Sequence, residues 1–133
     1  MGADIATAFR RDLRSAQEAV RAGVIPSRAR AADSHWNRWA TFCISLHINP
    51  SLEGVHDTID ILQVFAHRYR QGQIAPSGRQ VKSRTVEDSL RAVGQAFASV
   101  GAKDPRLNAA GAIDFRIQRQ LRSYSKADPP PDR

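Results

Sequence analysis

Cysteine is nearly absent from this 133-residue chain: Cys43 stands alone. That excludes an internal disulfide framework and fits a reducing compartment. Long apolar runs are missing too. No stretch approaches the roughly 20 uninterrupted apolar residues of a membrane-spanning helix. The opening Met1-Gly2-Ala3-Asp4 runs into charged residues without the apolar core of a secretory leader. The expectation is an intracellular protein with no membrane partner. Paired Cys/His spacings are lacking, and the i, i+4 pair Cys43 and His47 is a poor basis for a zinc site. No glycine-rich phosphate loop and no supported Ser-His-Asp order occurs. Neither a metal, a cofactor, a small-molecule substrate nor an activity of the chain's own is expected. A sustained two-residue alternation of apolar and polar residues is missing as well, so strands are not expected.

Lysine is scarce, and this turns attention to what is there. Of 20 cations only 3 are lysine and 17 are arginine, against 13 carboxylates, giving a net charge of +7 and a pI near 10.7. Arginine's planar fork suits bidentate contacts to phosphate and to guanine edges. With 41% hydrophobic and 25% charged residues the chain has globular composition. Its length corresponds to one compact domain.

Apolar residues recur at spacings of three and four in five segments, which predicts an all-α fold, a compact orthogonal bundle of four to five helices. The first helix, 4–22, places Ile5, Phe9, Leu13, Ala16 and Val20 on one face and is stopped by Gly23. The second opens after Pro26 with Ser27 as cap and carries Trp36, Trp39 and Cys43 to about His47. Trp36, Trp39 and Phe42 are read as core anchors and Cys43 as a buried apolar residue. Asn49-Pro50 ends that helix. A third begins at Asp57-Thr58 and closes at Gly72. After a loop over 73–82, Ser83 or Thr85 caps a fourth helix, along which Val86, Leu90, Val93 and Phe97 form the apolar face. Gly94 in its middle is read as a point of close approach by another helix or by DNA. A last helix over 113–125 precedes a stiff Pro-rich linker or tail, 127–133.

Charge is uneven along the chain. Residues 48–67 carry −3 and no cation, whereas residues 68–102 carry six cations against Glu87 and Asp88. Such alternation polarises a surface, and a basic side is the footprint of a polyanion partner. Arg84 and Arg91, seven residues apart, share the face opposite Val86 and Leu90. Free amides at a helix start add a place for phosphate. Asp88, four residues after Arg84 and three before Arg91, is expected to pair inside the helix.

Taken in order, Trp36-x-x-Trp39-x-x-Phe42-Cys43, then Tyr69-Arg70-Gln71-Gly72, then Val81-Lys82-Ser83-Arg84-Thr85-Val86 and an Arg-rich final helix resemble the SAM-like core-binding domain of tyrosine recombinases of the phage-integrase class. The resemblance spans residues 27–126, with helix 4–22 as an additional leading helix. It implies a helical domain, 1–126, forming half of a clamp on duplex DNA, with two helices against the major groove. Carried onto this sequence, the DNA-contacting residues are Arg28, Arg30 and Arg38 on one helix, Arg79 in the loop, and Lys82, Ser83, Arg84, Thr85 and Arg91 at and after the start of the other. The resemblance implies that the catalytic half uses an arginine pair, a lysine, histidines and a nucleophilic tyrosine. Tyr69 and Tyr124 both lie on apolar faces here, so the chain is expected to position a catalytic domain and not to cut DNA, and to associate with DNA in the cell. The resemblance also implies that the last helix meets a second copy of the chain on DNA. The alternative expectation is a protein-interaction module, whose basic stripe Arg116, Arg119, Arg122 and Lys126 on that helix docks an acidic partner.

Overall fold

The computed structural model describes residues 2–22, 26–75 and 77–130, and for residues 2, 3, 20–22 and 26–29 the main chain alone. The described residues form five helices: α1 (Gly2–Ala22), α2 (Pro26–Ser45), α3 (Thr58–Arg70), α4 (Ser83–Ser99) and α5 (Phe115–Ala127). No strand occurs among them. Their only bridge pairs Leu107 with Ile113 across a tight turn. No described helix is long and apolar enough to cross a membrane.

Helix α4 is the hub, because its apolar residues at spacings of three and four occupy more than one side. It packs on α2, α3 and α5, and α3 also packs on α5. Val86, Leu90, Val93 and Phe97 from α4 are buried with Leu62 and Phe65 from α3 and Ile117 from α5. Each such side chain contributes about 1.5–3 kcal/mol by leaving water. Trp39, Phe42, Phe65 and Tyr69 stack in sequence with centroids 5.2–6.0 Å apart, mostly edge-on or tilted. The Trp39 ring nitrogen donates to the Pro50 carbonyl at 2.9 Å, so the chain that leaves α2 is fastened back onto the helix core. Cys43 is fully buried, and burial pushes its thiol up to about 12, leaving it inert.

Helix α1 departs from expectation. Its apolar residues share one face as the periodicity predicts, yet Ile5, Phe9 and Leu13 are 62, 66 and 45% exposed, where an apolar helix face is ordinarily buried. Periodicity shows that a helix is two-faced and says nothing about whether the chain supplies a partner for the apolar face.

Candidate nucleic-acid interface

The start of α4 is built differently from what its sequence suggests. Neither Ser83 nor Thr85 caps it: Lys82 is the cap residue, in extended conformation and without a side-chain cap bond. The cap comes from the far end of the chain. Asp128, the residue that ends α5, accepts the Ser83 amide at 2.8 Å. Its other carboxylate oxygen accepts from Arg70 Nη1 at 2.5 Å. Arg70, 3% exposed, also donates to the carbonyls of Val81 and Tyr124 and lies 5.1 Å from the Tyr124 ring centroid. The Ser83 hydroxyl donates to the Leu121 carbonyl at 2.9 Å. Three chain segments thus meet in one knot. One of the helix-start amides expected to be open to phosphate, that of Ser83, holds an internal carboxylate instead.

Beside this knot, α4, α5 and the loop between them enclose a groove of about 790 Å³. Leu90, Ile117 and Leu121 form its floor, and Lys82, Arg84, Arg91, Arg106 and Arg122 are the cations along it. Arg91 is engaged by Asp88 at 3.1 Å and Glu87 at 3.4 Å, as the intrahelical spacing anticipates. These exposed pairs are weak. Arg106 is tied to Asp104 at 2.7 Å. Lys82, Arg84 and Arg122 form no ion pair among the described residues. The groove's charge is therefore free mainly at the α4 start and on α5.

Asp88 lies close enough to α2 for its charge to be felt there. Its charge acts on His35, whose Nδ1 lies 3.4 Å from Arg38 Nη1. Burial, and then the nearby Arg38, hold the His35 imidazole below its ordinary value, and Asp88 works in the opposite direction. The Arg38 guanidinium covers the Tyr69 ring at 4.8 Å.

Of the residues expected to touch DNA, the groove brings together Lys82, Ser83, Arg84 and Arg91. Ser83 is 7% exposed with both its amide and hydroxyl engaged, so its part is structural. Thr85 is exposed but does not line the groove. Arg30 is exposed, Arg38 is half-buried over Tyr69, and the Arg28 side chain lies outside the described side chains; Ser27 is not the cap of α2, which already begins at Pro26. Arg79 does not line the groove, and its carbonyl approaches Gly72, held at φ +83°. Sequence reasoning missed Arg106 as a groove residue and assigned Arg122 to a rival surface. The spacing of Gln118, Arg122 and Ser125, four and then three residues apart, was the available signal that α5 presents one polar edge here.

The spacing His-x-x-Arg occurs twice, at His35–Arg38 and His67–Arg70. Neither stands beside an exposed tyrosine: Tyr69 is 4% exposed, and Arg70 is consumed in the knot. The Tyr124 hydroxyl accepts from Gln120 at 2.7 Å. Among the described residues no cluster of three metal-ligating side chains occurs. Compared with known proteins, the chain matches no family model, no curated protein and no solved structure.

Proposed function

We propose that this chain is a duplex-DNA-binding domain of tyrosine-recombinase type, which grips the phosphate backbone and positions a catalytic domain outside this chain. The observation that carries the reading is the gathering of Lys82 at the start of α4, Arg84 on α4 and Arg122 on α5 along one groove, none of them in an ion pair among the described residues, in a chain of net charge +7. Contact with phosphate is borne by side chains, because Asp128 already occupies the first amide of α4. Affinity is then mostly counterion release, with limited base readout.

The test is a fluorescence titration of a short duplex. Replacing Arg84 and Arg122 together by alanine should weaken binding by at least tenfold at about 0.1 M salt. Replacing Arg10 and Arg14 on α1 should change it far less. Equal losses from both pairs would place the interface elsewhere.

One observation favours a second reading, a helical module that docks a protein partner: the exposed stripe Ile5, Phe9 and Leu13 on α1. In that case the basic face meets an acidic partner, and gel filtration shows association that duplex DNA does not alter. The α5 surface is weaker in this role, since Arg116 is tied to Asp114 at 3.0 Å and Arg119 lies over Phe115 at 5.2 Å.

A further inference from the structure

We infer that Asp128 is a positioning residue for the duplex interface, holding the first turn of α4 so that Lys82 and Arg84 stand along the groove. The inference rests on the DNA reading above. A helix start whose own cap residue makes no side-chain bond frays unless something else satisfies its amides. Here Lys82 supplies no side-chain cap, and the segment is anchored by the Asp128 carboxylate on the Ser83 amide, the Ser83 hydroxyl on the Leu121 carbonyl, the Arg70 guanidinium on the Val81 carbonyl and the Val81 amide on the Arg70 main-chain carbonyl. Of these, the bond to the Ser83 amide is made by Asp128 and the bond to the Val81 carbonyl by the side chain that holds Asp128. Lys82 and Arg84 flank Ser83 directly, so their direction follows that of the anchored amide. Asp128 has little freedom of its own, being fixed by the 3% exposed Arg70, which Tyr124 backs from α5.

The same carboxylate lines a groove read here as binding a polyanion. Plain electrostatics therefore says that removing it should tighten DNA binding. Positioning says the opposite, and the two accounts differ in sign.

The experiment compares duplex affinity at about 0.1 M salt for the native chain, Asp128→Asn, Arg70→Lys and Asp88→Asn, with amide exchange followed at Ser83. Asp128→Asn should bind roughly tenfold more weakly, equivalent to losing about one phosphate contact, while exchange at Ser83 accelerates. Arg70→Lys keeps the charge count but loses the planar fork, and it should weaken binding in the same direction. Asp88→Asn removes a groove carboxylate that does not hold the α4 start, and it should bind more tightly. If Asp128→Asn fails to fold, Arg70→Lys decides the matter alone. Absence of duplex binding by the native chain overturns the DNA reading and this inference together. Native binding that is unchanged or tighter in Asp128→Asn, or in Arg70→Lys, overturns the positioning role and leaves the DNA reading in place.

Discussion

Gly94 lies directly beneath the Asp104–Arg106 ion pair: a Cβ added there would stand 2.5 Å from Arg106 Nε and 2.5 Å from an Asp104 oxygen. The close approach expected at this glycine is therefore made by a loop of the same chain. Asp104 cannot simply swing aside, because it also accepts the Arg106 amide at 2.9 Å. Alanine is favoured over glycine in a helix by about 1 kcal/mol. Overpacking costs about 1–3 kcal/mol, and here it outweighs that gain. Gly94→Ala should lower stability by about 1 kcal/mol or more in urea unfolding. A more stable variant would mean that the loop does not rest on α4.

Trp39 combines packing with a single polar link, its ring nitrogen on the Pro50 carbonyl. Trp39→Ala should cost about 3–5 kcal/mol, as expected for emptying a fully buried aromatic site. Trp39→Phe keeps part of the packing and leaves the carbonyl without that donor, so its loss should be clearly smaller. Equal losses in chemical denaturation would show that the hydrogen bond outweighs the packing.

Ser89 makes the opposite case. It is fully buried on α4, and its hydroxyl has no hydrogen-bond partner among the described residues. Leaving a buried hydroxyl unpaired costs about 1–3 kcal/mol, so Ser89→Ala should be neutral or stabilising. A clear fall in melting temperature would reveal a partner for that oxygen in solution.

Acid should weaken the fold in two windows. Burial, and then Arg38, hold His35 below its ordinary 6.5, so the unfolded chain takes up that proton first. The corresponding stability is present above pH 6.5 and declines as pH falls below it. His35→Gln should remove this shallow phase. The steeper window belongs to three aspartates held below their ordinary 3.8. For Asp104, burial alone would push upward, and the hydrogen bonds from Arg106 more than offset it. Asp114 is lowered by the Arg116 side chain and amide, and Asp128 by the Ser83 amide and then Arg70. Their stability is present above the unfolded value and is lost as pH falls through about 4 and below. Melting temperature against pH checks both windows. A flat profile between pH 5 and 3 would contradict the aspartate clamps.

The helices were legible because burial on one side writes spacings of three and four into the chain, and Gly72, at φ +83°, marks an end that the structure keeps; α2 instead stops at Ser45, ahead of Asn49-Pro50, with His47 turning at φ +58°. What was not legible is tertiary. Helix α5 starts two residues later than its periodicity suggests, since Ile113 pairs with Leu107 and Asp114 then turns to cap the helix by accepting the Arg116 amide. Asp128 was read as the beginning of a tail, and only the fold brings it to Arg70, 58 residues away in sequence. Arg84 and Arg91 could be placed on one face by counting seven residues. Counting also anticipated that Asp88 would pair inside the helix, but it could not bring Arg106 and Arg122 to the same groove.

The most direct test of the account is the salt dependence of duplex binding by the native chain. Lys82, Arg84, Arg122 and a partly neutralised Arg91 amount to about four phosphate contacts, so log affinity should fall against log salt with a slope of roughly −3 to −4. Replacing Lys82, Arg84 and Arg122 together should flatten that slope to about −1 or less. A slope near zero in the native chain, or an unaltered slope in the triple variant, would contradict the groove as a DNA-binding surface.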